Sequence, residues 1–128
     1  MRATARTVAV LAALLAVPAG ASGATAEAGD EPVRSVTIGH VERDGAVLLV
    51  GGVDQGYGAR PVVVEQRRCR DGACRWVERD RERASDEGRY RVPVAVPDDG
   101  RKVTYRVAAL ARDGFPRTTS RTLTLFYA

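Results

Sequence analysis

The sequence predicts an all-β protein: a single seven-stranded antiparallel β-sandwich that follows an N-terminal signal peptide. Short segments in which apolar and polar residues alternate with a period of two recur along the chain, and turn signals separate them. Two cysteines, Cys69 and Cys74, flank an Asp-Gly turn at equal distance, which indicates a disulfide-bonded hairpin. After the N-terminal 26 residues, no segment shows the 3.6-residue period of an amphipathic helix.

The N-terminal residues have the composition of a secretory signal peptide. Arg2 and Arg6 precede ten consecutive apolar residues, 8–17, and small-residue cleavage sites end near Ala21 and Ala26. Ten apolar residues are too few to span a bilayer, which takes about 20, although an uncleaved anchor is the alternative interpretation. We therefore expect cleavage near either alanine, secretion and release of the product. The predicted organisation is a signal peptide over 1–26, a flexible lead-in over 27–32 and a β-sandwich domain over 33–128.

The charge of the chain gives little indication of a partner. The 20 basic and 16 acidic residues give a net charge of +4, and loss of Arg2 and Arg6 leaves 18 against 16. Basic and acidic residues interleave, without the clustered basic face that is usual for nucleic-acid binding. We expect no nucleic-acid partner and no membrane span after processing.

The first two strands precede a glycine-rich loop. Val36 and Ile38 mark the first strand, and a turn at 44–45 follows it. The loop over 54–59 then leads into the third strand. The second strand places four residues on one face, namely Val47, Leu49, Gly51 and Val53.

The third and fourth strands form the hairpin around the turn at 71–72. With Asp71 and Gly72 as the two loop residues, Cys69 faces Cys74 in a non-hydrogen-bonded pair whose Cα atoms approach to about 4.5 Å. A disulfide can bridge that distance. In an oxidising compartment this disulfide closes a short loop and raises the free energy of unfolding by about 2 kcal/mol.

Beyond Val77 the hairpin register cannot continue unchanged. Glutamate, aspartate and arginine alternate over 78–83, and an uninterrupted ladder would place Arg79 opposite Val64, on the core side. It would also place Glu65 opposite a second glutamate. We expect a bulge or a departure from the ladder soon after Val77, on an edge strand, while a solvated helix is the alternative.

Three further strands complete the predicted domain. Pro93 in the fifth strand indicates an edge position, because proline donates no hydrogen bond to a ladder. The inward positions of the three strands are Tyr90, Val92, Val94 and Val96, then Val103, Tyr105, Val107 and Ala109, then Leu123, Leu125 and Tyr127.

The chain from 45 to 127 resembles the immunoglobulin-like or fibronectin type III-like modules of secreted bacterial proteins. The resemblance lies in Val47, Leu49, Gly51, Val53, Val62, Val64, Trp76, Gly88, Arg89, Tyr90, Tyr105 and Val107. The turn at Gly88 also resembles transthyretin-like and carboxypeptidase-regulatory-like modules, except that Ser85 stands where these favour aspartate. The resemblance implies one sheet of strands one, two and five and another of strands three, four, six and seven. It implies no reaction.

No constellation in the sequence indicates catalysis or a metal. His40 is the single histidine, and a disulfide removes both thiolates from the set of ligands that zinc would need. Ser35, Ser85 and Ser120 lie outside any nucleophile elbow. We therefore expect a protein that is not an enzyme and that has no cofactor and no metal site.

Trp76 has two interpretations. In the hairpin register it shares a face with Arg67 and the two cysteines, where it would stack on Arg67 and shield the disulfide. Alternatively, a bulge would turn it into the core.

The candidate binding loops carry Tyr57, Asp86, Glu87 and Phe115. In a seven-stranded sandwich these loops emerge together at the end opposite the disulfide hairpin, where exposed aromatic rings beside carboxylates could grip a partner. The alternative is that the rings of Tyr57 and Phe115 fold back and cap the core. We expect a secreted, monomeric, non-enzymatic module for binding or envelope structure, whose partner is an unknown protein or an envelope glycan. A small-ligand carrier is the alternative, and it requires an apolar cleft between the sheets.

Overall fold

The structure, a computed structural model, describes residues 7–11 and 33–128. These residues form nine strands and no helix. The strands are β1 (Val8–Leu11), β2 (Gly39–Arg43), β3 (Ala46–Gly52), β4 (Pro61–Arg70), β5 (Ala73–Arg83), β6 (Arg89–Val94), β7 (Val103–Ala109), β8 (Thr118–Thr119) and β9 (Leu123–Tyr127). The all-β prediction is confirmed, but the predicted number of seven strands is wrong.

The two additional strands are β1 and β8. Strand β1 lies inside the predicted signal peptide and pairs with β9, and the short β8 pairs with β7. The predicted cleavage sites near Ala21 and Ala26 and the lead-in over 27–32 lie outside the described residues. The first predicted strand is displaced, because Val36 makes only an isolated bridge with Val53 and β2 begins at Gly39.

Two antiparallel sheets divide the chain. One has the order β1-β9-β7-β4-β5, with β8 paired to β7, and the other has the order β2-β3-β6. Apart from β1 and β8, this is the division of strands that the resemblance implies. Strand β6 is an edge strand, as Pro93 indicated, and the proline is exposed on it.

Both sheets contribute to one hydrophobic core. Leu49 and Val92 from the smaller sheet are fully buried, as are Val64, Val107 and Leu125 from the larger one. Alternation puts each of these side chains on the inner face of its strand. Most of the predicted inward positions therefore form the core, while Val94, Val96 and Tyr127 are partly buried and pack against it.

The hairpin of β4 and β5 has the predicted register. Asp71 and Gly72 occupy the two loop positions with positive φ angles of 53° and 79°, as a type I′ turn requires. Cys69 pairs with Cys74 across the ladder, and the two form a disulfide with a Cα–Cα distance of 4.0 Å. Turn chemistry and the disulfide specify the same register.

The predicted bulge interrupts this ladder directly after the pair of glutamates. Glu65 pairs with Glu78, and Val64 pairs with Asp80, so Arg79 is the additional residue of β5. Its Nε donates a hydrogen bond to the side-chain oxygen of Gln66 at 2.7 Å. The bulge keeps this guanidinium out of the ladder position opposite Val64.

The backbone at Thr37, just before β2, lies close against the smaller sheet. The hydroxyl of Tyr90 donates to the carbonyl oxygen of Thr37 at 2.5 Å, and Gly51 lies directly beside this contact. A Cβ atom at Gly51 would lie 2.1 Å from the same carbonyl oxygen. Only glycine fits here because the obstacle is backbone.

We expect Gly51→Ala to lower the free energy of unfolding by about 3 kcal/mol, because the added methyl group forces the Thr37 backbone away. Gly39→Ala is the matched control, since the nearest atoms would lie 3.9 Å from its Cβ, and we expect a change within about 0.5 kcal/mol. Urea unfolding of both variants measures the difference. Equal stability of the two variants would show that the close approach is absent.

Candidate functional site

The loops that carry the four candidate binding residues lie together at one end of the domain. Arg60, after the first loop, forms an ion pair with Asp113 in the loop between β7 and β8. The backbone amide of Ala84, at the start of the loop between β5 and β6, donates to the carbonyl oxygen of Arg60 at 2.9 Å. We call this the loop end of the domain.

Arg34 closes the loop end between two aromatic rings. Its guanidinium carbon lies 5.1 Å from the centroid of the Tyr57 ring and 4.0 Å from that of Phe115. Its Nη1 donates to the carbonyl oxygen of Arg112 at 3.0 Å, and only 2% of Arg34 is exposed. The cation–π contacts replace part of the hydration that burial removes from the charge.

Tyr57 is buried rather than available to a partner. Its ring is 1% exposed, and its hydroxyl donates to the carbonyl oxygen of Pro61 and accepts from the backbone amide of Leu110 at 3.2 Å. Phe115 is partly buried against Arg34. The expected pair of exposed aromatic rings is therefore not formed, and the capping alternative describes Tyr57.

The two carboxylates of the candidate loops remain at the surface. Asp86 and Glu87 are exposed, and the hydroxyl of Ser85 lies 3.3 Å from a carboxylate oxygen of Glu87. Hydrogen bonds between Ser85, Gly88 and Arg89 close this loop on itself. The loop end thus offers exposed acids but no aromatic pair beside them.

The opposite end, at the disulfide hairpin, carries a concentration of positive charge. A concavity of about 740 Å³ lies between the hairpin and the turn that joins β6 to β7. Six cationic residues contribute to its lining: Arg67, Arg68, Arg70, Arg75, Arg101 and Lys102. We call this surface the cationic basin. Four of these residues lie close together in the sequence, within the hairpin, and the fold adds Arg101 and Lys102 to them from the turn before β7.

Most of the charge of the cationic basin is not neutralised by neighbouring acids. Among the described residues, no carboxylate lies within ion-pair distance of Arg67, Arg68 or Arg75. Arg101 pairs with Asp99 at 2.6 Å, and the hydrogen bond from the Arg101 backbone, with the guanidinium charge, lowers the pKa of that carboxyl. The basin therefore presents cations that are free to bind an anion.

An apolar cleft opens between the two sheets beside the cationic basin. Its volume is about 570 Å³, and the core residues Val64, Val103 and Tyr105 contribute to its lining together with Val94 and Val96. Arg68 and Arg101 line both the cleft and the basin. Because Gln66, Arg79 and Asp80 also line it, the cleft offers an apolar part within a mixed lining.

A charged cluster occupies the outer face of the larger sheet. Arg106 and Arg117 both contact the same carboxylate oxygen of Glu65, at 3.0 and 2.9 Å. Arg106 also lies over the ring of Trp76, 4.1 Å from its centroid. The expected stacking of Trp76 on Arg67 is therefore wrong, because β7 brings a different arginine to the ring.

The two arginines set the charge state of Glu65. Burial acts to raise its pKa, but the hydrogen bonds and charges of Arg117 and Arg106 outweigh it and hold the pKa below its ordinary value. Glu78, opposite Glu65 in the ladder, pairs with Arg81 at 2.9 Å. Each glutamate of the Glu65–Glu78 pair therefore has an arginine partner that offsets its charge.

His40 lies on β2 opposite Leu49. Within 7–11 and 33–128, no group of three or more histidine, cysteine, aspartate or glutamate residues is placed to hold a metal ion. In the same ranges no helix has the length and hydrophobicity needed to cross a membrane. Comparison of the chain with protein-family models, curated proteins and solved structures finds no match.

We expect Glu65→Gln to destabilise the protein by about 1–2 kcal/mol at neutral pH, because the amide oxygen still accepts from both arginines but lacks the charge that strengthens the two hydrogen bonds. A carboxyl whose pKa is lowered by folding stabilises above its unfolded pKa of about 4.3, and the effect disappears as the pH falls through the folded value. The difference between wild type and variant should therefore vanish in acid, which urea unfolding across pH measures. Glu82→Gln, at an exposed position of β5, is the control. A difference that persists unchanged in acid would contradict this role of the carboxylate.

Proposed function

We propose that the chain is a secreted, non-enzymatic module that binds an anionic glycan of the cell envelope through the cationic basin. The proposed scaffold is an immunoglobulin-like or fibronectin type III-like β-sandwich. The division of strands between the two sheets and their common core support this scaffold. The Cys69–Cys74 disulfide suits an oxidising compartment outside the cytoplasm.

The presence of six cationic residues around one concavity is the observation that carries the proposal. Guanidinium groups bind carboxylate, phosphate and sulfate oxygens through forked hydrogen bonds, and five of the six cations are arginine. A concave surface of one charge sign also attracts an anionic polymer over distance. Secretion, which is itself part of the proposal, favours a glycan over a nucleic acid as the polymer.

The hairpin is also suited to hold these cations in place. Arg67 to Arg70 and Arg75 lie on paired strands that the disulfide joins next to the turn. Binding groups on paired, cross-linked strands lose less conformational entropy on association than groups on a free loop. The side chains themselves remain exposed, so they need no rearrangement to meet a polymer.

We expect the protein to bind dextran sulfate with an affinity that falls as salt rises, and to leave neutral dextran unbound. Arg68→Gln and Arg75→Gln should each weaken binding roughly fivefold, from an ion-pair contribution of about 1 kcal/mol, and should reduce the salt dependence. Arg91→Gln is the matched control: it removes the same charge from an exposed position of β6 outside the basin. Titration calorimetry at several salt concentrations measures all four proteins.

Equal effects of the three substitutions would contradict the basin as the binding surface, because net charge alone would then explain binding. A single-stranded DNA oligonucleotide of matched charge is the second probe. Tighter binding to the oligonucleotide than to the sulfated glycan would overturn the proposed ligand class in favour of nucleic acid.

The apolar cleft supports a second candidate function, the transport of a small amphiphile. The apolar part of its lining suits an alkyl chain, and Arg68 and Arg101 at the shared border suit an anionic head group. Oleate should then raise the melting temperature of wild type but not of Val94→Glu, which places a negative charge in the cleft. Leu48→Glu, on the outward face of β3, is the control and should keep the response. The carrier function is excluded if oleate leaves the wild-type melting temperature unchanged.

A further inference from the structure

Strand β9 is paired on both sides in the structure, but one of its partners lies in the predicted signal peptide. It pairs with β7 on one side and with β1 on the other, where Val8 faces Tyr127 and Val10 faces Leu125. Val8 packs against the core, whereas Val10 and Leu11 are 38% and 51% exposed. The edge of β9 therefore accepts an extended apolar segment, although it buries little of this one.

The two outer strands that would remain without β1 differ in their charge. Strand β5 carries arginine, aspartate and glutamate along its length and ends in the alternating segment 78–83. Strand β9 reads Leu-Thr-Leu-Phe-Tyr, with no charge and no proline. Charges on an edge strand discourage pairing with another chain, and an uncharged edge of high β propensity invites it. In the larger sheet, the β5 edge is therefore protected against pairing with another chain, and the β9 edge is not.

We propose that the β9 edge is a homodimer interface in the mature protein, where β9 of a second copy takes the position of β1. This inference rests on the proposed removal of residues 1–26 during export. The geometry is that of an isologous two-fold contact, in which the same strand pairs antiparallel with itself. The larger sheets of the two copies then form one continuous sheet.

The sequence of β9 is complementary to itself in this arrangement. With Leu125 on the two-fold axis, Leu123 faces Tyr127 and Thr124 faces Phe126 of the other copy. Inner residues meet inner residues and outer residues meet outer ones, as the alternation of a strand requires. The pairs on the outer face join an aromatic and a β-branched side chain, a favourable cross-strand combination. No like charges face one another.

The test compares the oligomeric state of the full chain with that of residues 27–128 by sedimentation velocity over a range of concentrations. The fully buried core residues all lie between 36 and 125, so the shorter chain retains them. We expect the shorter chain to form dimers and the full chain, in which β1 occupies the edge, to remain monomeric. Monomers of the shorter chain at every concentration would overturn the proposal.

Two substitutions locate the contact. Phe126→Lys in the shorter chain removes both aromatic pairs and brings two cations within about 7–8 Å, and should raise the dimer dissociation constant about tenfold or more. Val41→Lys makes the same change at an exposed position of β2, the edge of the smaller sheet, and should leave the dimer unchanged. A dimer that is indifferent to Phe126→Lys lies elsewhere and contradicts the proposal.

Hydrogen exchange keeps the test decisive if Phe126→Lys does not fold. In the unmodified shorter chain, the protection of backbone amides in 123–127 should rise with protein concentration, and protection that is independent of concentration would refute the interface. These measurements use no glycan. Failure of the dimer therefore leaves the proposed binding function standing, and failure of dextran sulfate binding leaves the dimer standing.

Discussion

The β-bulge between Val64 and Glu65 lies where β4 passes from the buried core into the exposed hairpin. Before it, Val62 and Val64 are fully buried, and beyond it β4 becomes an exposed, arginine-rich hairpin arm. The additional residue, Arg79, shifts the register of β5 by one position. Val64 and Val62 pair with Asp80 and Glu82, whereas an uninterrupted ladder would pair them with Arg79 and Arg81. The bulge thus decides which charges of β5 lie beside the buried valines of β4: carboxylates rather than guanidinium groups.

The two ends of the domain differ in how they are closed. At the loop end, Arg34 lies between Tyr57 and Phe115 and closes the core with its own charge buried. At the hairpin end, β4 and β5 continue past the bulge, and their arginines meet Arg101 from the next turn without entering the core. The proposed binding function uses the open, cationic end, while the other end of the domain is closed.

Features fixed by near neighbours in the chain could be predicted from the sequence, whereas features that depend on distant residues could not. The turn at Asp71, the disulfide and the bulge all follow from residues within one hairpin. Arg106 reaches Trp76 only because β7 lies beside β4, and Lys102 joins the cationic basin by the same tertiary placement. The burial of Arg34 had a local signal that was overlooked, since it is in phase with the inward Val36 and Ile38. The sequence carried no local signal for the pairing of β1 with β9, because the composition of β1 fits a signal peptide equally well.

Cross-strand nuclear Overhauser effects between β4 and β5 test the central role of the bulge most directly. The structure requires contacts between the backbones of Glu65 and Glu78 and between those of Val64 and Asp80, with Arg79 opposite no residue of β4. Observation of both contacts would establish that the register changes at this point. A direct contact between Val64 and Arg79, as in a continuous ladder, would contradict the account, because Arg79 and Arg81 would then take the places of Asp80 and Glu82.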